Sequence, residues 1–216
     1  MKIKKGSKLI FLGDSITDLN RTRPVGEGLF DPMGKGYVNV ITGLFGALYP
    51  ELNIRVVNMG GNGDNTRNLK SRWQTDVVAL KPDWLSIMIG TNDVWRQFDT
   101  PLITEEHVYI SEYEKNLDEL AGKGKKLAKG GLVLMTPFYL EPNRKDAMRA
   151  VMDQYGAVVK KIARKHGTVF VDTQAAFDKI LKHYHANAIA WDRVHPNITG
   201  HTVIAKAFLD AVGFQW

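Results

Sequence analysis

The chain has 216 residues, 44% of them hydrophobic and 24% charged, with 20 Gly, 8 Pro and no Cys. That mixture excludes disorder, collagen and coiled coil, and the missing cysteines exclude a disulfide framework, a thiolate metal site and a cysteine nucleophile. The formal charge of +6 is scattered except at Lys2, Lys4, Lys5 and Lys8 and at Lys123, Lys125, Lys126 and Lys129; neither run is interleaved with stacking aromatics, so no nucleic-acid partner is expected. No stretch approaches ~18 apolar residues, and LIFL near the start is too short for a signal-peptide core, so no membrane association and a cytoplasmic location are expected.

At roughly 150 residues per domain the length favours one domain over residues 1–216. Short apolar runs alternate along it with longer amphipathic ones. The first run, Leu9 to Leu12, reads as a buried strand and is followed at once by Gly13-Asp14-Ser15-Ile16-Thr17. A serine on a strand-to-helix turn is placed to act as a nucleophile, with the following N–H groups facing a developing anion. Asp and Ser also cap helices, so the signal is weak alone, and Thr17 stands where the α/β-hydrolase nucleophile elbow needs glycine.

An irregular stretch, Thr17 to Lys35, leads to a helix over about Tyr37 to Leu48 and a second strand, Ile54 to Val57. Next come Asn58-Met59-Gly60-Gly61-Asn62-Gly63-Asp64-Asn65 and a helix from Thr66 to Leu80, then a third strand, Trp84 to Ile89, ending in Gly90-Thr91-Asn92-Asp93. Glycines bring backbone N–H groups close to a ligand, and an Asn amide is the neutral donor of an oxyanion hole. Trp95 to Thr104 reads as irregular, and helices over Ser111 to Ala128, Asp146 to His166, Gln174 to Tyr184 and Ile198 to Val212 alternate with strands at Leu132 to Met135 and Val169 to Val171. Strands apolar on both faces and joined by helical crossovers predict an α/β fold, a three-layer αβα sandwich on a five-stranded parallel sheet. With the strands ordered 2-1-3, Ser15, Gly63 and Asn92 converge at the topological switch point.

Six histidines supply the candidates for a general base. Asp192-Arg193-Val194-His195 places a carboxylate three residues before an imidazole, just ahead of the last helix, so the two side chains can meet within one turn. His166, His183, His185 and His201 read as structural or solvated, and no ligand cluster for a metal appears.

These four blocks in this order resemble the SGNH or GDSL hydrolase family, a flavodoxin-like αβα fold. The resemblance implies a nucleophile at Ser15, a base at His195 oriented by Asp192, and oxyanion donors at the Ser15 N–H, the Asn92 amide and a glycine N–H. Gly63 is preferred there because it follows Asn58-x-Gly60-x-x, with Gly60 and Gly61 as alternatives. FLGDSITD, KPDWLSIMIGTNDVWRQ, LMTPFYLEPN and AWDRVHP look like the intracellular bacterial acetylxylan esterases, which implies deacetylation of xylo-oligosaccharides without cofactor or metal. A thioesterase or lysophospholipase on the same scaffold, or a non-catalytic carbohydrate-binding module, are the alternatives. Trp191, Trp95, Phe138 and Tyr139 are expected to line the mouth as faces for sugar rings, or else to pack its rim. Phe214 and Trp216 at the chain end would dock on another copy in a homo-oligomer or on their own domain.

Overall fold

The computed structural model describes residues 1–216. Its sheet has five parallel strands, β1 Lys8–Gly13, β2 Arg55–Gly60, β3 Trp84–Met88, β4 Gly131–Met135 and β5 Val169–Val171, in the order 2-1-3-4-5. β1 and β3 are buried along nearly their whole length because helices cover both faces of a parallel sheet. On one face α2 (Tyr37–Leu48) packs against α9 (Ile198–Ala211), which also meets α7 (Thr173–Ile180). On the other, α5 (Ile110–Leu127) packs against α6 (Ala147–His166), joined by α3 (Thr66–Ser71) and α4 (Thr91–Asp99). The remaining α-helices are single turns, α1 Ser15–Asp18 and α8 Ala186–Ile189. The three-layer αβα architecture is the one the apolar runs predict.

Four local expectations are corrected. The helix expected over Thr66 to Leu80 stops at Ser71, has Arg72 as its C-cap, and resumes as a five-residue π turn over Gln74–Val78. Thr75 Oγ donates back to the Arg72 carbonyl at 3.0 Å, a local bond that competes with a regular helix. Second, Trp95 to Asp99 is not irregular but belongs to α4, a helix too short and polar for its periodicity to show. Third, the helix expected to reach Tyr184 ends at Ile180, and His185 caps the separate turn α8. Fourth, β2 runs past Val57 to Gly60 because buried Asn58 is satisfied, donating Nδ2 to the carbonyls of Thr17 at 2.7 Å and Met33 at 2.8 Å.

At the chain end Phe214 is buried in its own fold, 6.0 Å from the Phe45 ring and 5.1 Å from that of Tyr49. Trp216 is exposed, with Lys206 Nζ 5.0 Å from its ring centroid. No helix is long and apolar enough to cross a membrane.

Candidate active site

Ser15 opens α1 directly beyond β1. Asp14 caps that turn, its Oδ1 accepting the Ile16 N–H at 3.0 Å, and the Ser15 N–H has no partner within the fold. Burial, with Asp93 and Asp64 close by, pushes the Asp14 carboxyl up to about 7 against the opposing Ile16 bond. The preceding Gly13 is required by space: a Cβ there would stand 2.2 Å from Thr17 Oγ1 and 2.6 Å from the Met88 carbonyl.

Ser15 Oγ lies 2.8 Å from His195 Nε2, although 180 residues separate the two in sequence. On its other side His195 Nδ1 is 2.7 Å from Asp192 Oδ2. Asp192 Oδ1 accepts the backbone N–H groups of Val194 at 2.9 Å and His195 at 2.8 Å, so both carboxylate oxygens are engaged within one turn. Burial raises the Asp192 carboxyl, but the ring and backbone donors outweigh it and hold the group below its ordinary value. Asp192 is therefore an anion at neutral pH that accepts the Nδ1 proton. That bond leaves the Nε2 lone pair facing the serine hydroxyl. Arg193 completes the turn in the left-handed region, φ 63°, held by an ion pair with Glu141 and by its carbonyl accepting the Leu140 N–H at 2.9 Å.

The glycine loop after β2 is sorted by where its N–H groups go. Gly60 donates to Asn58 Oδ1 at 2.9 Å and Gly61 to the Gly13 carbonyl at 2.9 Å, so both are committed inside the fold. Gly63 is exposed at φ 75°, with no acceptor for its N–H and nothing within 4 Å of where a Cβ would be. Asn92, 2% exposed on α4, donates one Nδ2 hydrogen to the Asp64 carbonyl at 2.9 Å and has its Oδ1 3.4 Å from Arg96 Nη2. The second Nδ2 hydrogen remains available.

A match to the GDSL-like lipase/acylhydrolase family spans residues 11–203. The chain belongs to that family. It is 57% identical over 216 residues to the acetylxylan esterase of Geobacillus stearothermophilus, covering 100% of this chain and 98% of the relative. An acetylxylan esterase of Xylanibacter ruminicola is 26% identical over 93% of this chain and 42% of its own length. Solved structures of the Geobacillus enzyme, Axe2, superpose with a TM-score of 0.98 over 100% of this chain and 98% of theirs. Among them are catalytic mutants with a serine, an aspartate or a histidine replaced by alanine. LAE5, an alpha/beta hydrolase from the metagenome of Lake Arreo, is 52% identical with a TM-score of 0.97, over 99% of this chain and 98% of that one.

Of the four aromatics expected at the mouth, three keep some exposed surface and one does not. Trp95 is half-buried, its ring centroid 5.6 Å from that of His195 and 5.2 Å from Arg96 Cζ, and Trp191 beside Asp192 is 81% exposed. Tyr139 is half-buried, its backbone clasped by the Gln174 side chain. Phe138 does not line the mouth: it is fully buried, 4.4 Å from the Phe177 ring, because the first residue after Pro137 turns back into the core. A cavity of about 260 Å³ between α6 and α7, lined by Arg149, Asp153 and Asp178, includes none of Ser15, Asp192 or His195. No group of three His, Asp or Glu side chains is placed to hold a metal ion.

Sequence reasoning missed the polar frame behind these groups. Asp93 is fully buried on α4, accepting the Thr66 hydroxyl at 2.6 Å and its N–H at 3.1 Å; burial pushes its carboxyl up to about 7 against those bonds. Arg72 reaches four acceptors: Asp76 in the π turn, and Asp64 and the Met59 and Gly13 carbonyls around the glycine loop. Asp93 was visible as the last residue of the Gly-x-Asn-Asp block; Arg72 carried no signal inside an apparently continuous helix. His201, read as structural, is buried with Nδ1 accepting the Tyr37 N–H at 3.1 Å, while Nε2 has no partner.

Proposed function

We propose that this chain is a serine esterase that removes acetyl groups from acetylated xylo-oligosaccharides, with Ser15 as nucleophile, His195 as general base and acid, and Asp192 as its orienting carboxylate. The observation that carries the chemistry is the continuous pair of bonds from Ser15 Oγ to His195 Nε2 and from His195 Nδ1 to Asp192. A serine hydroxyl is too weakly acidic to attack an ester unaided. His195 takes its proton as Oγ adds to the carbonyl, and the Asp192 anion stabilises the imidazolium. The tetrahedral oxyanion is bound by the Ser15 N–H, the Gly63 N–H and the free Asn92 hydrogen, three donors fixed before the reaction begins. The tetrahedral intermediate then collapses, the carbon–oxygen bond to the sugar breaks as His195 protonates the departing sugar oxygen, and a water molecule, deprotonated by His195, attacks the acetyl-enzyme to release acetate and Ser15.

The substrate rests on likeness to proteins named acetylxylan esterases and on the aromatic surroundings of His195. Trp95 against the imidazole favours a small acyl group, and exposed Trp191 offers a face to a sugar ring. Acetate release from acetylated xylobiose and xylotriose, measured beside hydrolysis of an acyl thioester, tests the assignment. The wild type is expected to release acetate and to prefer the sugar ester, with Ser15→Ala lower by roughly four orders of magnitude or more. Equal release by both proteins would remove Ser15 from the mechanism, and preference for the thioester would move the substrate class.

A further inference from the structure

Helix α3 breaks at the residue whose side chain crosses back to the site. Arg72 Nε donates to Asp64 Oδ2 at 2.6 Å, Nη1 to the Met59 carbonyl at 2.8 Å and to Asp76 Oδ2, and Nη2 to the Gly13 carbonyl at 3.0 Å. Three of these four acceptors flank Ser15 and Gly63. Gly13 ends β1 two residues before Ser15, Met59 lies in β2 four before Gly63, and Asp64 follows Gly63. The Asp64 carbonyl in turn receives the Asn92 amide at 2.9 Å.

From this juxtaposition we infer that Arg72 is the positioning residue of the oxyanion hole, its planar fork fixing the β1 end, the glycine loop and, through Asp64, the Asn92 amide in one frame. The inference rests on the reading of Ser15 as nucleophile. Arginine suits the task because its rigid guanidinium directs several donors along set directions; a lysine ammonium is a flexible point charge with three donors and cannot hold four acceptors at once. The cation also sits among carboxylates. Burial pushes the Asp64 carboxyl up and the Arg72 charge opposes that shift, so Arg72 favours the ionised Asp64 that its own bond requires. Arg72 touches no reacting atom. Its effect passes through the positions of three donors, and a misplacement of about 1 Å in such groups costs on the order of a hundredfold in rate.

The test uses p-nitrophenyl acetate, so that it does not depend on which sugar is the natural substrate. Arg72→Lys is expected to lower kcat by roughly ten- to a hundredfold with KM nearly unchanged, and to weaken a methylboronic acid adduct, which places a tetrahedral oxyanion analogue on Ser15, by a similar factor. In an Asn92→Ala background the same substitution is expected to cost much less, because both act on one set of donors. A lower melting temperature with unchanged kcat and boronate affinity would make Arg72 a fold staple and overturn the inference, as would losses that simply add. If Arg72→Lys does not fold, Asp64→Asn carries the test. It keeps the carbonyl that binds Asn92, is expected to lower kcat severalfold, and overturns the inference if kcat is unchanged. Ser15→Ala run alongside separates the two levels: a dead Ser15→Ala with a fully active Arg72→Lys refutes only the role of Arg72, whereas an active Ser15→Ala refutes the nucleophile on which it rests.

Discussion

Replacing Asn92 by alanine separates what its two amide hydrogens do. One is committed to the Asp64 carbonyl at 2.9 Å, and the other is assigned to the oxyanion. Losing the second removes one of three preorganised donors, worth about 2.7–4 kcal/mol in the transition state, or a hundred- to a thousandfold in kcat. Losing the first leaves the Asp64 carbonyl, in a half-buried loop residue, without its partner, a stability cost of about 1 kcal/mol. For a chain of 216 residues that corresponds to a melting temperature lower by about 2–4 °C. The assay is kcat and KM on p-nitrophenyl acetate and on acetylated xylobiose, with calorimetry on the same samples. KM should move little, because the donor acts on charge that develops after binding. A kcat within about threefold of wild type beside the expected drop in melting temperature would show that the amide only ties α4 to the glycine loop, and the oxyanion assignment would be wrong.

Phe138→Ala should lower the unfolding free energy by about 3–5 kcal/mol in urea titrations and leave KM for the sugar ester unchanged, since the ring is fully buried against Phe177. A raised KM at normal stability would return Phe138 to the mouth. Asp93→Asn should change how stability depends on pH. The folded carboxyl holds its proton up to about 7 whereas the unfolded one releases it near 3.8. The wild type therefore loses stability relative to the variant as pH rises from about 4 to about 7, and melting curves that stay parallel across that range would exclude Asp93 as the titrating group.

The sheet was legible because strands buried on both faces leave uninterrupted apolar runs; their polar ends were not. Asn58 to Gly60 read as loop and pair with β1, since Asn58 finds its partners on the β1–α2 connection, which local pattern cannot report. Ser15, Asp192 and His195 were legible because a hydroxyl, a carboxylate and an imidazole occur in short blocks with few rival histidines. Among Gly60, Gly61 and Gly63 the sequence offered only spacing, whereas the hydrogen bonds of the first two separate them from the third. Phe138 and Tyr139 show the limit at a strand end, where one residue of offset decides between core and rim. Arg72 was hidden because the bonds that mark it out, to Gly13, Met59 and Asp64, are tertiary and leave no trace in the helical pattern around it.

The site joins two bodies of different origin. Ser15, Gly63 and Asn92 follow the ends of β1, β2 and β3, strands that lie side by side in the order 2-1-3, so the sheet brings the three segments to one edge. His195 has no strand beneath it; its turn is held by Leu140 and Glu141 after β4 and leads directly into α9. Asn197 caps that helix, its Oδ1 accepting the Gly200 N–H at 3.3 Å, while its own N–H meets the Ile189 carbonyl at 2.7 Å. One turn on, His201 Nδ1 takes the Tyr37 N–H, one of the orphan donors at the start of α2. Accepting that bond requires an unprotonated Nδ1, and burial, with His195 nearby, holds the His201 imidazole down at about 4, so the clasp between α2 and α9 persists at neutral pH. Because α2 follows the loop that leaves Ser15, this clasp fixes the histidine-bearing end of the chain against the serine-bearing one. The 2.8 Å contact between Ser15 Oγ and His195 Nε2 therefore spans the two ends of the chain that this clasp holds together.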